Sequence, residues 1–226
     1  MRRIYLVRHG RTDWNRQEIF RGKIDVPLDD VGRRQAELVR EFLLEICAAR
    51  GERLTKVISS PLARAREMAE IIRSGFDGAA LEVDESFSDI DVGKWGGLYV
   101  SQVEREFPRE FRTWVERPDE MRFPSGESLH DVMERAWNKL MNILDDLGRT
   151  GNATGSGDIC IVSHRVVLKV LLLTAIDAPL RSFWKLKVDT GSVSILETCD
   201  ESGLAVAAVN ITSHLAKLGA ADRRDF

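Results

Sequence analysis

Two short apolar runs, far apart in the chain, each end in a histidine. His9 follows the run Ile4–Val7 closely, and His164 follows the run Ile159–Val162. Runs of this length and composition are typical of buried strands in a parallel sheet, and ligands bind just beyond the carboxyl ends of such strands. The chain has only 4 histidines, so finding two in equivalent places predicts that their imidazoles meet at one site.

Strand-like runs alternate with helical patterns along most of the chain. The predicted strands are Ile4–Val7, Val57–Ser59, Leu81–Val83 and Ile159–Val162, and the predicted helices are about 31–47, 61–73, 129–147 and 166–175. The runs 193–198 and 204–209 suggest a closing hairpin. This order predicts an α/β fold: a three-layer α/β/α sandwich with a mostly parallel central sheet and a C-terminal hairpin.

The chain is expected to form one domain over residues 1–226, with a small helical cap insertion at about 98–127. That insertion is rich in charge, aromatic residues and proline, and its apolar periodicity is broken. The glycine-rich stretch 148–157 is predicted to be a surface loop.

Local signals also predict where several helices begin. Asp29 or Asp30 is a suitable N-cap for the first long helix, and Ser60-Pro61 fits an N-cap followed by proline at the first helical position. Ser128 with Asp131 resembles a capping box.

Charge and composition exclude some classes of function. The net charge is −3 and no run of like charge stands out, so neither a nucleic acid nor a membrane is an expected partner. The apolar run 166–176 contains Lys169 and is too short to span a bilayer. The 3 cysteines are isolated in sequence, which favours reduced thiols and a cytoplasmic location. No histidine or cysteine pair has metal-ligand spacing, so no metal or cofactor is expected.

The residues around the two histidines suit a phosphoryl group, whose spread negative charge needs cations and N–H donors. Arg8 directly precedes His9, and Arg64 falls in the first turn of a predicted helix, at the positive end of its dipole. Asn15 supplies a neutral amide. One histidine in such a site can act as nucleophile and the other as a cationic partner, with Asp89 or Asp91 as the acid and base.

In these stretches the chain resembles the histidine phosphatase superfamily, the phosphoglycerate mutase-like proteins, on its phosphatase-type branch. Six matches occur in the same order as in the family, from Ile4 to about Leu215: 6–15 (LVRHGRTDWN), 22–28 (GKIDVPL) with Gly32 and Gln35-Ala36, 59–65 (SSPLARA), 89–97 (DIDVGKWGG), 123–128 (FPSGES) and Ser163-His164. The resemblance implies a phosphohistidine mechanism with His9 as nucleophile. It also implies that Arg8, Asn15, Arg64 and His164 form the phosphate pocket.

The chain departs from the family pattern at two positions. Asp89 occupies the acid/base position, where many members have the longer Glu. Asp91, on the same face if the segment is extended, is either a like-charged helper of Asp89 or a loop cap. Arg165 stands where many relatives have Gly; it either contacts substrate or packs against the closing hairpin, and packing is favoured. Arg21 and Gly22 are further candidates for substrate contact or a helper role.

The resemblance leaves three functions to compare. The preferred one is a metal-independent phosphatase acting on a small phosphorylated metabolite. The alternatives are a phosphoglycerate mutase and a phosphate-binding protein without turnover. In the resemblance, mutases carry a longer basic insertion with paired arginines, whereas the arginines between 97 and 123 occur singly. This favours the phosphatase, and a homodimer is left open.

Overall fold

A computed structural model describes residues 1–149, 157–199 and 203–219. Six strands form one mixed sheet in the order β3-β2-β4-β1-β5-β6. Their bounds are β1 Arg3–Arg8, β2 Leu54–Ser59, β3 Ala80–Val83, β4 Asp158–Ser163, β5 Val193–Cys199 and β6 Gly203–Ile211.

The parallel part of the sheet brings the ends of three strands together. Strand β4 lies between β1 and β2 and is parallel to both. Its register pairs Ser163 with Arg8 of β1, and Val162 with Ser59 of β2. The residues that follow these three strands therefore emerge side by side at one edge of the sheet.

Helices cover both faces of the sheet. Their bounds are α1 Asp13–Arg16, α2 Asp30–Ala49, α3 Ala63–Arg73, α4 Val100–Glu106, α5 Pro108–Glu116, α6 Leu129–Arg149 and α7 Arg165–Ala175. Helices α2 and α3 pack on the face that carries Tyr5 and Val7, whereas α6 and α7 pack on the face that carries Ile4 and Leu6. This arrangement confirms the predicted three-layer sandwich.

Two of the three predicted helix starts are confirmed. Asp29 is the N-cap of α2, and its side chain accepts a hydrogen bond from the backbone N–H of Gly32. Ser128 and Asp131 exchange the hydrogen bonds of a capping box at the start of α6. The prediction for Ser60-Pro61 was wrong, because α3 begins two residues later, after Leu62.

The C-terminal hairpin is confirmed. Strand β5 is antiparallel to β1 and to β6, so it closes the parallel part of the sheet. Residues 200–202, which join these strands in sequence, and residues 150–156 of the predicted glycine-rich loop lie outside the described residues. Residues 148–149 of that predicted loop belong instead to α6, which ends at Arg149. Among the described residues, no helix has the length and apolar character needed to cross a membrane.

Between β3 and α6 the chain forms short helices. Helices α4 and α5 are followed by a 3-10 turn at Pro118–Glu120. Trp114 of α5 is 4% exposed and its ring centroid lies 5.1 Å from that of Phe123. Phe183, which follows α7, lies 5.2 Å from the same indole. Aromatic packing thus attaches this segment to the main body of the fold.

Candidate active site

Three neighbouring strand ends place a hydroxyl and two imidazoles together. Ser60 follows β2, His164 follows β4 and His9 follows β1, in the order in which these strands lie side by side. The imidazole centroids of His9 and His164 are 5.1 Å apart, and neither side chain is more than 1% exposed. The two histidines predicted to converge therefore do so, close enough for one small anion to contact both.

The hydrogen bonding of His9 defines which ring nitrogen carries the proton. Nδ1 lies 2.7 Å from the carbonyl oxygen of Gly10. A carbonyl oxygen only accepts, so Nδ1 donates, and in the neutral ring Nε2 holds the lone pair. Burial lowers the pKa of His9 well below its usual range, and the neighbouring Arg64, His164 and Arg8 lower it further. His9 is thus a neutral imidazole with an unprotonated Nε2 at neutral pH.

His164 is hydrogen bonded through one ring nitrogen, and its other ring nitrogen, Nδ1, is buried without a hydrogen-bond partner. Its Nε2 lies 2.8 Å from Oγ of Ser60, and its Nδ1 lies 3.7 Å from Oδ2 of Asp89. Burial lowers the pKa of His164 strongly, and Arg64 is the next cause, so this imidazole is neutral rather than the cationic partner that the sequence predicted. Sequence reasoning missed Ser60 as a site residue, although its position directly after a strand is equivalent to those of the two histidines.

Arg64 is buried and fixed by the loop that follows β1. It is the second residue of α3, and its guanidinium donates to the carbonyls of Ile24 (2.9 Å) and Gly22 (2.8 Å) and to Asp89 (3.2 Å). Its Nε is buried without a hydrogen-bond partner. Burial lowers its pKa, and the charge of Asp89 opposes that shift. A buried guanidinium with an unused donor is suited to receive an anion.

The carbonyl of Gly22 accepts a hydrogen bond from Arg64, and the backbone of Gly22 has a conformation that favours glycine. Its φ is +52°. A Cβ at this position would lie 2.8 Å from Cγ2 of Val92 and 2.9 Å from the carbonyl oxygen of Ile90. The absence of a side chain therefore lets the loop approach the segment that carries Asp89.

The backbone of Asp89 is held in place by hydrogen bonds that involve Arg135 and Glu127. Arg135 donates from Nη2 to the backbone carbonyl of Asp89 (3.2 Å). It also donates to both carboxylate oxygens of Glu127, from Nε at 2.9 Å and from Nη2 at 3.1 Å. Glu127 in turn accepts from the backbone N–H of Asp91 at 2.8 Å. Sequence reasoning missed Arg135, although Glu127 lies in one of the matched motifs.

Asp91 was expected as a like-charged helper of Asp89 or as a loop cap, and the structure supports the loop cap. Its Oδ1 accepts from the backbone N–H of Gly93 at 2.8 Å, at the start of a 3-10 turn. Asn15 also has a local role, because its Oδ1 accepts from both the N–H and the hydroxyl of Thr12 at 2.9 Å.

A small cavity of about 40 Å³ opens at this edge of the sheet. The predicted residues that line it are Arg8, His9, Arg21, Gly22, Asp89 and Arg165. Arg64, His164 and Asn15 lie behind this wall, each no more than 2% exposed. Trp114 and Phe123 form its apolar side.

The side chain of Arg165 corrects one expectation. It lies over the indole of Trp184, with its guanidinium carbon 5.9 Å from the ring centroid, and lines the cavity. It was expected to pack against the closing hairpin, but Trp184 lies in the 3-10 turn Leu180–Lys185 that follows α7. The stiff indole holds the guanidinium close to the candidate phosphate site.

The remaining histidines lie outside this cluster. His214 hydrogen bonds to the carbonyl of Gly191 at 2.9 Å and stacks on Phe42 at 4.7 Å, and His130 is exposed on α6. In the described part of the chain, no group of three or more His, Cys, Asp or Glu side chains is arranged to hold a metal ion.

Residues 4–212 match the histidine phosphatase superfamily (branch 1). The chain belongs to this superfamily, and the expectation of a phosphatase-type enzyme is confirmed at the level of the family.

Relatives cover nearly the whole chain. Phosphoserine phosphatase 1 of Hydrogenobacter thermophilus is 32% identical over 222 residues, covering 95% of each protein. Probable phosphoglycerate mutase GpmB of Cronobacter sakazakii is 30% identical over 219 residues, again 95% of each. The solved structure of YhfR from Bacillus stearothermophilus is 30% identical with a TM-score of 0.84, covering 95% of this chain and 100% of that one.

Proposed function

We propose that this protein is a phosphomonoester hydrolase that acts on a small phosphorylated metabolite through a phosphohistidine on His9. The observation that carries the proposal is the state of His9. It is a buried neutral imidazole whose Nδ1 is engaged by Gly10, which leaves Nε2 as the nucleophilic nitrogen. It lines the cavity together with Arg8 and Asp89, which supply a cation and a carboxyl group.

In the first step, Nε2 of His9 attacks phosphorus and forms an N–P bond while the bond from phosphorus to the leaving oxygen breaks. Asp89 gives its proton to that oxygen, and the alcohol leaves. In the second step, Asp89 takes a proton from water, the water oxygen bonds to phosphorus and the N–P bond breaks. Orthophosphate leaves, and both side chains return to their starting states.

The cations stabilise the charge that is shared by the phosphoryl oxygens in both steps. Arg8 is fixed by donating from Nη1 to the carbonyl of Val188 at 2.7 Å, and Arg21 joins it in the cavity wall. Arg64 acts as a cation from the buried side, with the neutral imidazole of His164 and the amide of Asn15 as uncharged donors. Because these groups are held by backbone and side-chain partners, they need little rearrangement when the anion arrives.

We also propose that residues 1–226 form one domain and that the segment 98–127 is a cap over the site. Its Trp114 and Phe123 line the cavity, so it forms the wall that the organic part of the substrate contacts. The three cysteines are free, which favours action in the cytoplasm.

A phosphoglycerate mutase is the second candidate, favoured by the similarity to the probable mutase of Cronobacter sakazakii. A mutase needs cations in the cap to hold the returning intermediate. Here Arg105 pairs with Glu106 and Arg117 pairs with Glu120, with the arginine side chains 70% and 60% exposed. These arginines face solvent, which supports the hydrolase. A phosphate-binding protein without turnover is the third candidate.

One experiment separates the three candidates. The protein is incubated with p-nitrophenyl phosphate, and separately with 3-phosphoglycerate plus 2,3-bisphosphoglycerate. Release of phosphate with wild-type protein and none with His9→Asn supports the hydrolase. Isomerisation of phosphoglycerate favours the mutase, and silence in both assays with retained orthophosphate binding favours the binding protein.

A further inference from the structure

A second, basic cavity adjoins the candidate phosphate site. It has a volume of about 350 Å³, and Arg8 and Arg165 line both cavities, so the two lie side by side. No step of the proposed hydrolysis uses its other walls, which are formed by Lys169, Trp184, Lys185, Leu186, Lys187, Val188 and Asp189. We call this space the second pocket.

The second pocket is strongly cationic. Its lining includes two arginines, three lysines and the single carboxylate of Asp189. That carboxylate is engaged by Lys187 at 3.0 Å and by the side-chain amide of Asn210 at 3.1 Å. The protein as a whole has a net charge of −3, so this concentration of positive charge is local. A pocket of this kind attracts anions.

Lys169 gives the pocket a fixed cation. Its side chain is 4% exposed, and Nζ lies 4.5 Å from the ring centroid of Phe183 and 4.9 Å from that of Trp184. Burying an ammonium group is costly, and contacts with ring faces recover part of that cost. An ammonium group at this position can donate charge-assisted hydrogen bonds to a carboxylate or a phosphate.

Helix α7 places Lys169 on the same side as Arg165, which borders the candidate active site. Lys169 follows Arg165 by four residues on α7, so both side chains lie on the same face of the helix. Arg165 borders both cavities, whereas Lys169 borders only the second. An extended small molecule with its phosphate at His9 would therefore pass Arg165 and reach Lys169.

We propose that the second pocket binds a further anionic group of the substrate whose phosphate enters the first cavity. The inference rests on the proposed function and narrows it: the substrate is a small phosphomonoester that also carries a carboxylate or a second phosphate. Arg165 and Lys169 hold that group, and Trp184 keeps both cations in place.

The test uses pairs of compounds that differ only in the second anion. The carboxylate pair is 3-phosphoglycerate and glycerol 3-phosphate, and the phosphate pair is propane-1,3-diol bisphosphate and propyl phosphate. Each compound is measured as a competitor of p-nitrophenyl phosphate hydrolysis, so that slow turnover does not hide binding. Lys169→Met and Lys187→Met change the pocket. Lys56→Met, which removes a lysine paired with Glu82 on the sheet, is the matched control.

We expect wild-type protein to bind the compound with the second anion roughly 10- to 100-fold more tightly in at least one pair. The pair with the larger ratio identifies carboxylate or phosphate as the recognised group. Lys169→Met should lower that ratio by about tenfold or more, Lys187→Met should lower it by less because its side chain is 78% exposed, and Lys56→Met should keep it.

Equal inhibition by the two compounds of each pair would overturn the proposal that the second pocket binds an anionic group. The same conclusion would follow if Lys169→Met left the ratio of the two affinities unchanged. Failure of the proposed function gives a different result, because wild-type protein would then not hydrolyse p-nitrophenyl phosphate at all. In that case titration calorimetry with the same pairs and variants still measures the preference for a second anion directly.

Discussion

Two buried imidazoles with lowered pKa values make the stability of this protein depend on pH. His9 and His164 are neutral in the folded state, because burial and neighbouring cations lower their pKa values well below the usual value. In the unfolded chain both return to a pKa of about 6.5. At pH values between the lowered pKa of the folded state and the pKa of the unfolded state, the unfolded chain binds more protons than the folded one. The free energy of unfolding therefore rises with pH and decreases as the pH falls.

The size of this effect follows from the linkage relation. On going from about pH 7.5 to about pH 5.5, each histidine that stays neutral in the folded state costs about 1.4 kcal/mol of stability. The two together cost about 2.7 kcal/mol. His214 adds a smaller change of the same sign, because burial lowers its pKa as well.

Urea unfolding at the two pH values measures the loss directly. We expect His9→Asn and His164→Asn each to reduce the pH-dependent loss by about 1.4 kcal/mol, whatever their effect on stability at neutral pH. His130→Asn is the matched control, because that side chain is exposed on α6. Equal losses in wild-type, His9→Asn and His164→Asn proteins would refute the reasoning.

Three further substitutions test the supports of the site. Ser60→Ala removes the partner of Nε2 of His164 and should cost about 1–3 kcal/mol in urea unfolding and lower kcat; unchanged values would show that the contact is unimportant. Arg135→Met removes a hydrogen bond to the backbone of Asp89 and should lower kcat about tenfold or more for alkyl phosphates. The loss should be smaller for p-nitrophenyl phosphate, because its leaving oxygen needs little protonation. Equal losses for the two substrates would argue against a role of Arg135 in positioning Asp89. Gly22→Ala should lower stability by about 1–3 kcal/mol, measured by calorimetry.

The parts of the fold that sequence predicted best depend on local patterns. The run Ile4–Val7 and the run Ile159–Val162 lie within adjacent parallel strands, and their shared pattern of an apolar run ending in histidine was sufficient to place both imidazoles together. The N-caps of α2 and α6 involve residues three apart. Such short-range signals are visible in sequence because the partners are fixed by helix geometry alone.

The missed contacts join residues that only the tertiary fold brings together. Ser60 is 104 residues from His164, and Arg135 is 46 residues from Asp89. Nothing near Arg135 in sequence indicates its target, because arginines on helices are usually solvated. The sequence left two roles open for Asp91 for a related reason: alternation of faces holds only in extended backbone, and its carboxylate caps the turn at Gly93.

The central claim is that His9 carries the phosphoryl group during turnover. The direct measurement is rapid quenching of the reaction with p-nitrophenyl phosphate under alkaline denaturing conditions, followed by peptide mass spectrometry. We predict one PO₃ group on the peptide that contains His9, labile to acid, more abundant in Asp89→Asn and absent from His9→Asn. A phosphoryl group on any other residue, or turnover by His9→Asn at close to the wild-type rate, would contradict the account.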